Sequence, residues 1–277
     1  MKTVRLPSGE RVPAYGLGTW HMGDNAKIRN EEIATLRLGI DLGATLIDTA
    51  EMYGEGQAEI LVGEAIAGRR DEVFIVSKVY PHNATRRGAV SACERSLRRL
   101  ETDRIDLYLL HWRGSVPLAE TMDAFVALQK AGKIRHYGVS NLDHADMQEL
   151  WSLQAGRSTA INQVLYNLDR RGIEWDLVPW LRDGGIPIMA YSPIEQGRLT
   201  RNPLLIDFGR RYGMTAAQAA LAWLLRNDDV IVIPKSAQRT RLKENIAACE
   251  IRLSAAQLAE LEQLFPPPKR ATPLAML

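Results

Sequence analysis

Four side chains, Asp48, Tyr53, Lys78 and His111, each stand at the end of an apolar run or just past it. Residues 46–54 read Leu-Ile-Asp-Thr-Ala-Glu-Met-Tyr-Gly, the pattern of a buried strand that delivers a carboxylate and, after a short loop, a phenol at its C-terminal end. Two later runs, 73–78 and 105–111, end on Lys78 and His111 in the same way. A phenol has a reference pKa of about 10 and is a poor acid at neutral pH, but a neighbouring ammonium favours the phenolate and lowers that value. With Lys78 as that ammonium and Asp48 holding it cationic, Tyr53 becomes a proton donor. His111 is then a second hydrogen-bond donor to the same substrate oxygen. Taken singly, each residue also fits a structural role: a helix N-cap, a packed aromatic ring, a snorkelling cation.

What the chain lacks narrows the chemistry. No HxxxH and no clustered His, Cys or carboxylate spacing points to a metal, and no G-x-S-x-G elbow points to a serine nucleophile. Proton donation to an oxygen without a nucleophile suggests carbonyl reduction with hydride from a cofactor. The G-x-G-x-x-G turn of a Rossmann domain is absent, since Gly16/Gly18 and Gly54/Gly56 each lack the third glycine. A phosphate site is expected late instead, at Ile233-Pro234-Lys235-Ser236 with Arg241 just inside a helix, where two cations, a hydroxyl and a helix N-terminus suit the 2′-phosphate of NADPH. Alone, that segment also fits the solvated basic face of an amphipathic helix.

These groups need a scaffold that presents many strand ends together. Strand patterns at 15–19, 45–49, 73–78, 105–111, 134–139, 160–164, 187–191 and 230–233 alternate with helical patterns near 29–42, 57–68, 86–100, 118–131, 143–154, 174–183 and 204–226, and helices near 238–248 and 254–264 follow. That alternation predicts an α/β fold, a (β/α)8 TIM barrel, as one domain over 1–277. Pieces 3–6 and 11–14 around Pro7-Ser8-Gly9-Glu10 predict an N-terminal β-hairpin closing the bottom. In such a barrel the C-terminal strand ends carry the chemistry, and Asp48, Lys78, His111, Ser140, Gln163, Tyr191 and Lys235 all fall at or just beyond them.

The bulk numbers are those of an ordinary soluble globular protein, an enzyme or a binding protein. With 35 Lys+Arg against 33 Asp+Glu, a net charge of +2 gives no reason to expect a nucleic acid partner. The charged start and the absence of a long apolar run predict neither a signal peptide nor a membrane span, so a cytoplasmic protein is expected. Cys93 and Cys249 share no metal-ligand spacing and read as two buried thiols, with a disulfide between them left open.

Read together, Gly18-Thr19-Trp20, Ile47-Asp48-Thr49-Ala50 with Tyr53-Gly54, Ser77-Lys78, Leu110-His111-Trp112, Gly138-Val139-Ser140-Asn141, Asn162-Gln163, Tyr191-Ser192-Pro193 and Ile233-Pro234-Lys235-Ser236 with Arg241 and Glu244-Asn245 resemble the aldo-keto reductases, nearly throughout the chain and in order. The likeness is strongest to small bacterial enzymes that reduce methylglyoxal and other aldehydes, with 2,5-diketo-gluconate reductases as relatives of similar size. The resemblance implies NADPH-dependent carbonyl reduction by a monomer acting on a small-molecule substrate, with a tetrad on Asp48, Tyr53, Lys78 and His111 and no metal. It further implies that Gly18 and Thr19 border the cofactor, that Ser140, Asn141 and Gln163 hold its carboxamide, and that Tyr191 stacks on the nicotinamide. Ser192 would meet the pyrophosphate, Lys235, Ser236 and Arg241 the 2′-phosphate, and Glu244 and Asn245 the adenine. Trp20 and Trp112 would line an apolar carbonyl pocket. Short loops and an early end after the last helix lead us to expect an open pocket, and the brief turn 194–198 to leave little material for a strap over the pyrophosphate. Two rival readings are an NADPH-binding redox-sensing subunit and a lyase or isomerase using a Lys78 Schiff base.

Overall fold

The runs that read as strands are buried on both faces, as parallel strands under helices must be. In the computed structural model, which describes all 277 residues, β5 (Phe74–Val79) and β6 (Ile105–Leu110) are buried at every position. The other barrel strands are β3 (Gly16–Gly18), β4 (Leu46–Asp48), β7 (Ile134–Ser140), β8 (Asn162–Leu165), β9 (Ile188–Tyr191) and β10 (Val230–Val232). They pair in parallel and in chain order from β3 to β10. Bridges Tyr15–Val232 and Gly18–Lys235 join the first strand to the last and close the (β/α)8 barrel. At that seam Gly18 N–H donates to Pro234 O at 3.2 Å. A Cβ on Gly18 would lie 2.6 Å from Ile233 O, so only glycine lets the two backbones come this close.

The helices are α1 (Arg29–Asp41), α2 (Gln57–Ile66), α3 (Arg86–Arg99), α4 (Leu118–Lys130), α5 (His144–Ser152), α6 (Leu177–Asp183), α7 (Pro203–Arg211), α8 (Ala216–Leu225), α9 (Arg239–Ala247) and α10 (Ala255–Leu264). Their starts are fixed by side chains that satisfy free backbone N–H groups. Thr85 accepts from Gly88 N and Asp143 from Asp146 N, while Thr215 and Ser254 form capping boxes with Gln218 and Gln257. No helix is long and apolar enough to cross a membrane.

The hairpin of β1 (Thr3–Arg5) and β2 (Arg11–Pro13) lies under the N-terminal strand ends. Val4, Leu6 and Val12 join the barrel residues in one continuous apolar core. Glu10 bonds Arg135 and His136 at the start of β7, and Lys2 Nζ donates to the carbonyls of Leu225, the last residue of α8, and Asn227 beyond it at 2.7 Å each. Asp106, near the start of β6, is taken up by Arg70, Arg135 and the Ile75 N–H. The polar groups at this end are thus consumed by structure, as expected of the lower face of such a barrel.

Candidate active site

At the opposite end of the strands the polar groups converge on a cleft of ≈ 1310 Å³. Asp48 is the last residue of β4, and the ladder runs one step further, with Thr49 N donating to Val76 O at 2.9 Å. The chain then turns through Tyr53, Gly54, Glu55 and Gly56, the last three with positive φ, which swings the phenol back over the strand ends. Alternation along β5 sends Ser77 out to the helix layer and Lys78 into the barrel. Lys78 is wholly buried and its Nζ donates to Asp48 Oδ2 at 2.8 Å, Thr49 O at 2.9 Å and Tyr53 Oη at 3.1 Å. Asp48 receives a second bond on its other oxygen, from Gln163 Nε2 at 2.7 Å.

The electrostatics correct one expectation. Tyr53 is not made acidic at rest: burial, with the charge of Asp48 adding to it, raises its pKa well above the ordinary phenol value. Burial likewise lowers the pKa of Lys78, against the opposing pull of Asp48. Tyr53 is therefore a neutral phenol whose oxygen already accepts from Lys78, so its own hydrogen is free to point into the cleft. Burial, reinforced by the Lys78 charge, pushes His111 down to about 2. Its Nδ1 is sealed in protein with no partner, which leaves Nε2 as the nitrogen on the cleft side of a neutral ring.

Next to this group stand Ser140 and Asn141 at the end of β7, Tyr191 at the end of β9 and Gln163, which is the second residue of β8 and not its last as expected, because that strand runs on to Leu165. Ser140 Oγ donates to Gln163 O at 2.8 Å, Asn141 Nδ2 donates to His111 O at 3.2 Å, and Tyr191 Oη donates to Asn141 Oδ1 at 3.0 Å. These bonds hold Asn141 at φ 56, in the left-handed region, where an unsupported side chain would rarely stay. Gly18, Thr19 and Ser192 border the same space, and Thr19 Oγ1 donates to Asp48 O at 2.9 Å.

The far end of the cleft carries Lys235, Ser236, Arg241, Glu244 and Asn245. Lys235 and Arg241 make no ion pair, whereas the neighbouring Arg239 is engaged by Glu31. Ser236 Oγ accepts from Gln238 N at 3.2 Å and shapes the turn into α9. Two cations without partners beside a helix N-terminus are what an anion of a bound cofactor would meet. A volume above the roughly 300–1,000 Å³ of ordinary small-molecule pockets leaves room for a dinucleotide together with a substrate.

Every predicted site residue thus lines the cleft except Lys78, which lies just behind it. Trp20 and Trp112 form an aromatic wall with the central pair: Trp20 lies 5.4 Å from Tyr53, Tyr53 5.9 Å from His111 and His111 4.8 Å from Trp112, between ring centroids. The wall is longer than the sequence suggests. The turn expected to leave little strap contributes Ile194, Gln196 and Gly197, and Thr200, Arg201, Ile206, Arg210 and Met214 extend it. The tail beyond α10 packs Leu274 against the core and brings Met276 and Leu277 to the mouth, supplying wall that the short loops do not. Asn202 capping Leu204 N ahead of Pro203 was the one sequence signal for the α7 part of that wall.

Residues 14–265 match the Aldo/keto reductase family. The chain is 50% identical over 281 residues to a methylglyoxal reductase, YeaE, of Escherichia coli (strain K12), spanning 100% of this chain and 99% of the relative. It is 33% identical over 263 residues to a glyoxal reductase of Bacillus subtilis (strain 168), spanning 95% and 92%. Among solved structures it is similar to an aldo-keto reductase from Klebsiella pneumoniae in complex with NADPH, with a TM-score of 0.97 and 52% identity over 100% of this chain and 99% of the other.

Proposed function

The chain belongs to the aldo/keto reductase family, and we propose that it is an NADPH-dependent reductase of small aldehydes and ketoaldehydes of the methylglyoxal type. One observation carries the reading: Lys78 Nζ donates to Tyr53 Oη at 3.1 Å while Asp48 and Thr49 take its other hydrogens, which leaves the phenol proton free to turn to the cleft beside His111. Bound NADPH supplies the hydride that a carbonyl carbon needs. The residues of the chain do the rest. His111 Nε2–H and Tyr53 O–H polarise the carbonyl oxygen, and as charge gathers there the Tyr53 proton moves across. Lys78 then stabilises the phenolate left behind, and Asp48 keeps the ammonium charged and in register. Tyr53 regains a proton from solvent through the cleft.

The remaining residues account for cofactor and substrate. Ser140, Asn141, Gln163 and Tyr191 would orient the nicotinamide end, and Lys235, Ser236 and Arg241 would take the 2′-phosphate that separates NADPH from NADH. Trp20, Trp112, Met276 and Leu277 give the carbonyl pocket an apolar lining that suits small aldehydes better than polyols. The similarity to methylglyoxal and glyoxal reductases supports the same substrate class. An NADPH-oxidation panel of methylglyoxal, aromatic aldehydes and keto-sugars tests it, with the Tyr53→Phe variant in parallel. Methylglyoxal turnover by the wild type and a loss of about 10²–10⁴-fold in kcat for Tyr53→Phe, with NADPH binding kept, are expected. Normal turnover by Tyr53→Phe would remove the assigned proton donor.

A further inference from the structure

Behind the site lies a carboxylate that the reaction itself does not use. Glu59, in the first turn of α2, is 0% exposed. One of its oxygens accepts from Ser77 Oγ at 2.7 Å and the other from Arg99 Nη1 at 3.1 Å. Ser77 directly precedes Lys78 on β5, so its bond to Glu59 fixes the strand where the ammonium leaves it. Arg99, the last residue of α3, reaches the other segment of the site. A Cβ on Gly56 would lie 2.4 Å from its Cζ, so the guanidinium lies directly against Gly56. Gly56, at φ 93, ends the turn that begins with Tyr53.

We propose that the pair of buried Glu59 and half-buried Arg99 is a brace between the Tyr53 turn and the Lys78 strand, and that Glu59 is a positioning residue for proton transfer. The inference rests on Tyr53 being the proton donor. Neither member touches the cleft, yet together they contact the two segments whose separation sets the 3.1 Å Lys78–Tyr53 bond. Removing the Glu59 charge leaves Arg99 without its partner and free to leave Gly56, so the turn loses its support on one side. An error of about 1 Å in placement from a change remote from the chemistry can cost on the order of 10²-fold in rate.

The test compares wild type, Glu59→Gln, Arg99→Lys and, as a neighbouring surface control, Arg98→Met. Measured for each are kcat and KM for methylglyoxal, the NADPH dissociation constant from nicotinamide fluorescence, and the folded fraction. For Glu59→Gln, kcat per folded site falls by about tenfold or more, while KM and NADPH affinity stay within about twofold. Arg99→Lys keeps the charge and recovers part of that loss, and Arg98→Met matches wild type. A purely structural role would lower the folded fraction and leave kcat per folded site unchanged, which overturns the proposal. A crystal structure of Glu59→Gln, or of Arg99→Lys should Glu59→Gln fail to fold, decides the matter without turnover. Tyr53 Oη and Lys78 Nζ separated beyond about 3.5 Å support the brace, and an unchanged hydrogen bond refutes it. A wild type inactive on every carbonyl would remove the reductase reading and leave the crystallographic result to judge the brace.

Discussion

Replacing Lys78 by methionine isolates what the buried ammonium does. Lys78→Met keeps most of the side-chain volume and deletes three donated bonds, to Asp48 at 2.8 Å, Thr49 O at 2.9 Å and Tyr53 at 3.1 Å. Asp48, 2% exposed, then keeps a single donor, Gln163, for a charge that water barely reaches. Breaking a buried pair on one side costs about 3–5 kcal/mol. At about 2–4 °C per kcal/mol for a chain of this size class, the unfolding midpoint falls by roughly 6–20 °C. The catalytic loss has a separate origin. The phenolate formed as Tyr53 gives up its proton has lost the one donor aimed at it, which costs about 10²–10³-fold in kcat. Adding Asp48→Asn removes the orphaned charge, so the double variant regains most of the stability and none of the activity. Thermal unfolding by circular dichroism and NADPH oxidation with methylglyoxal measure the two effects. A double variant less stable than Lys78→Met, or a Lys78→Met enzyme within tenfold of wild-type kcat, refutes the reasoning.

Two other predictions concern the cofactor and the histidine. Arg241→Ala removes a charge-assisted contact of about 1.5–3 kcal/mol, so NADPH binding weakens by roughly 10–150-fold while NADH binding stays unchanged; equal losses for both, measured by fluorescence titration, would move the phosphate site elsewhere. His111, with its pKa taken from 6.5 to about 2 in the folded chain, keeps a neutral ring, so its NMR signals do not titrate between about pH 5 and pH 8. Because the folded chain then binds fewer protons at this site than the unfolded one, His111 subtracts stability progressively as pH falls from 6.5 toward about 2. An acid limb in kcat/KM near 6.5 that disappears in His111→Gln would contradict this.

The framework was legible because strand ends announce themselves. Apolar runs that stop at Asp48, Lys78 and His111 carry their own register, and a period of two decides that Lys78 faces inward while Ser77 faces α2. Helix starts were legible at Thr85, Asp143 and Ser254, whose side chains cap α3, α5 and α10, but a capping residue was not always enough. The helix expected from 174 begins at Leu177, because residues 172–174 form a 3₁₀ turn and Asp176 caps the Leu177 N–H. Less legible was anything set by depth or by distant partners. The sign of the Tyr53 shift depends on how completely the phenol is enclosed, which spacing does not encode. Ser192, Glu195 and Gln196 take positive φ in a turn where Glu195 is gripped by Asn167 and Arg170 from far along the chain, with neighbouring Arg198 adding a third contact. The same holds for the path of the tail, which follows the place where Leu274 finds the core.

The seam at Gly18 has a mechanical consequence. The joint that shuts the barrel, from Gly18 to Pro234 and Lys235, is also an edge of the cleft, so the closing hoop of the cylinder and the berth proposed for the dinucleotide share the same backbone. A long anionic guest lying, as proposed, against Gly18 and Thr19 on one side and Lys235 on the other would work as a clasp. With the cofactor held as proposed, opening the cylinder between its first and last staves would require releasing the guest first, so occupancy would slow unravelling as well as shift the folding equilibrium. In the cell this would make the charged nucleotide pool a guardian of the protein's lifetime, independent of whether any carbonyl is being consumed.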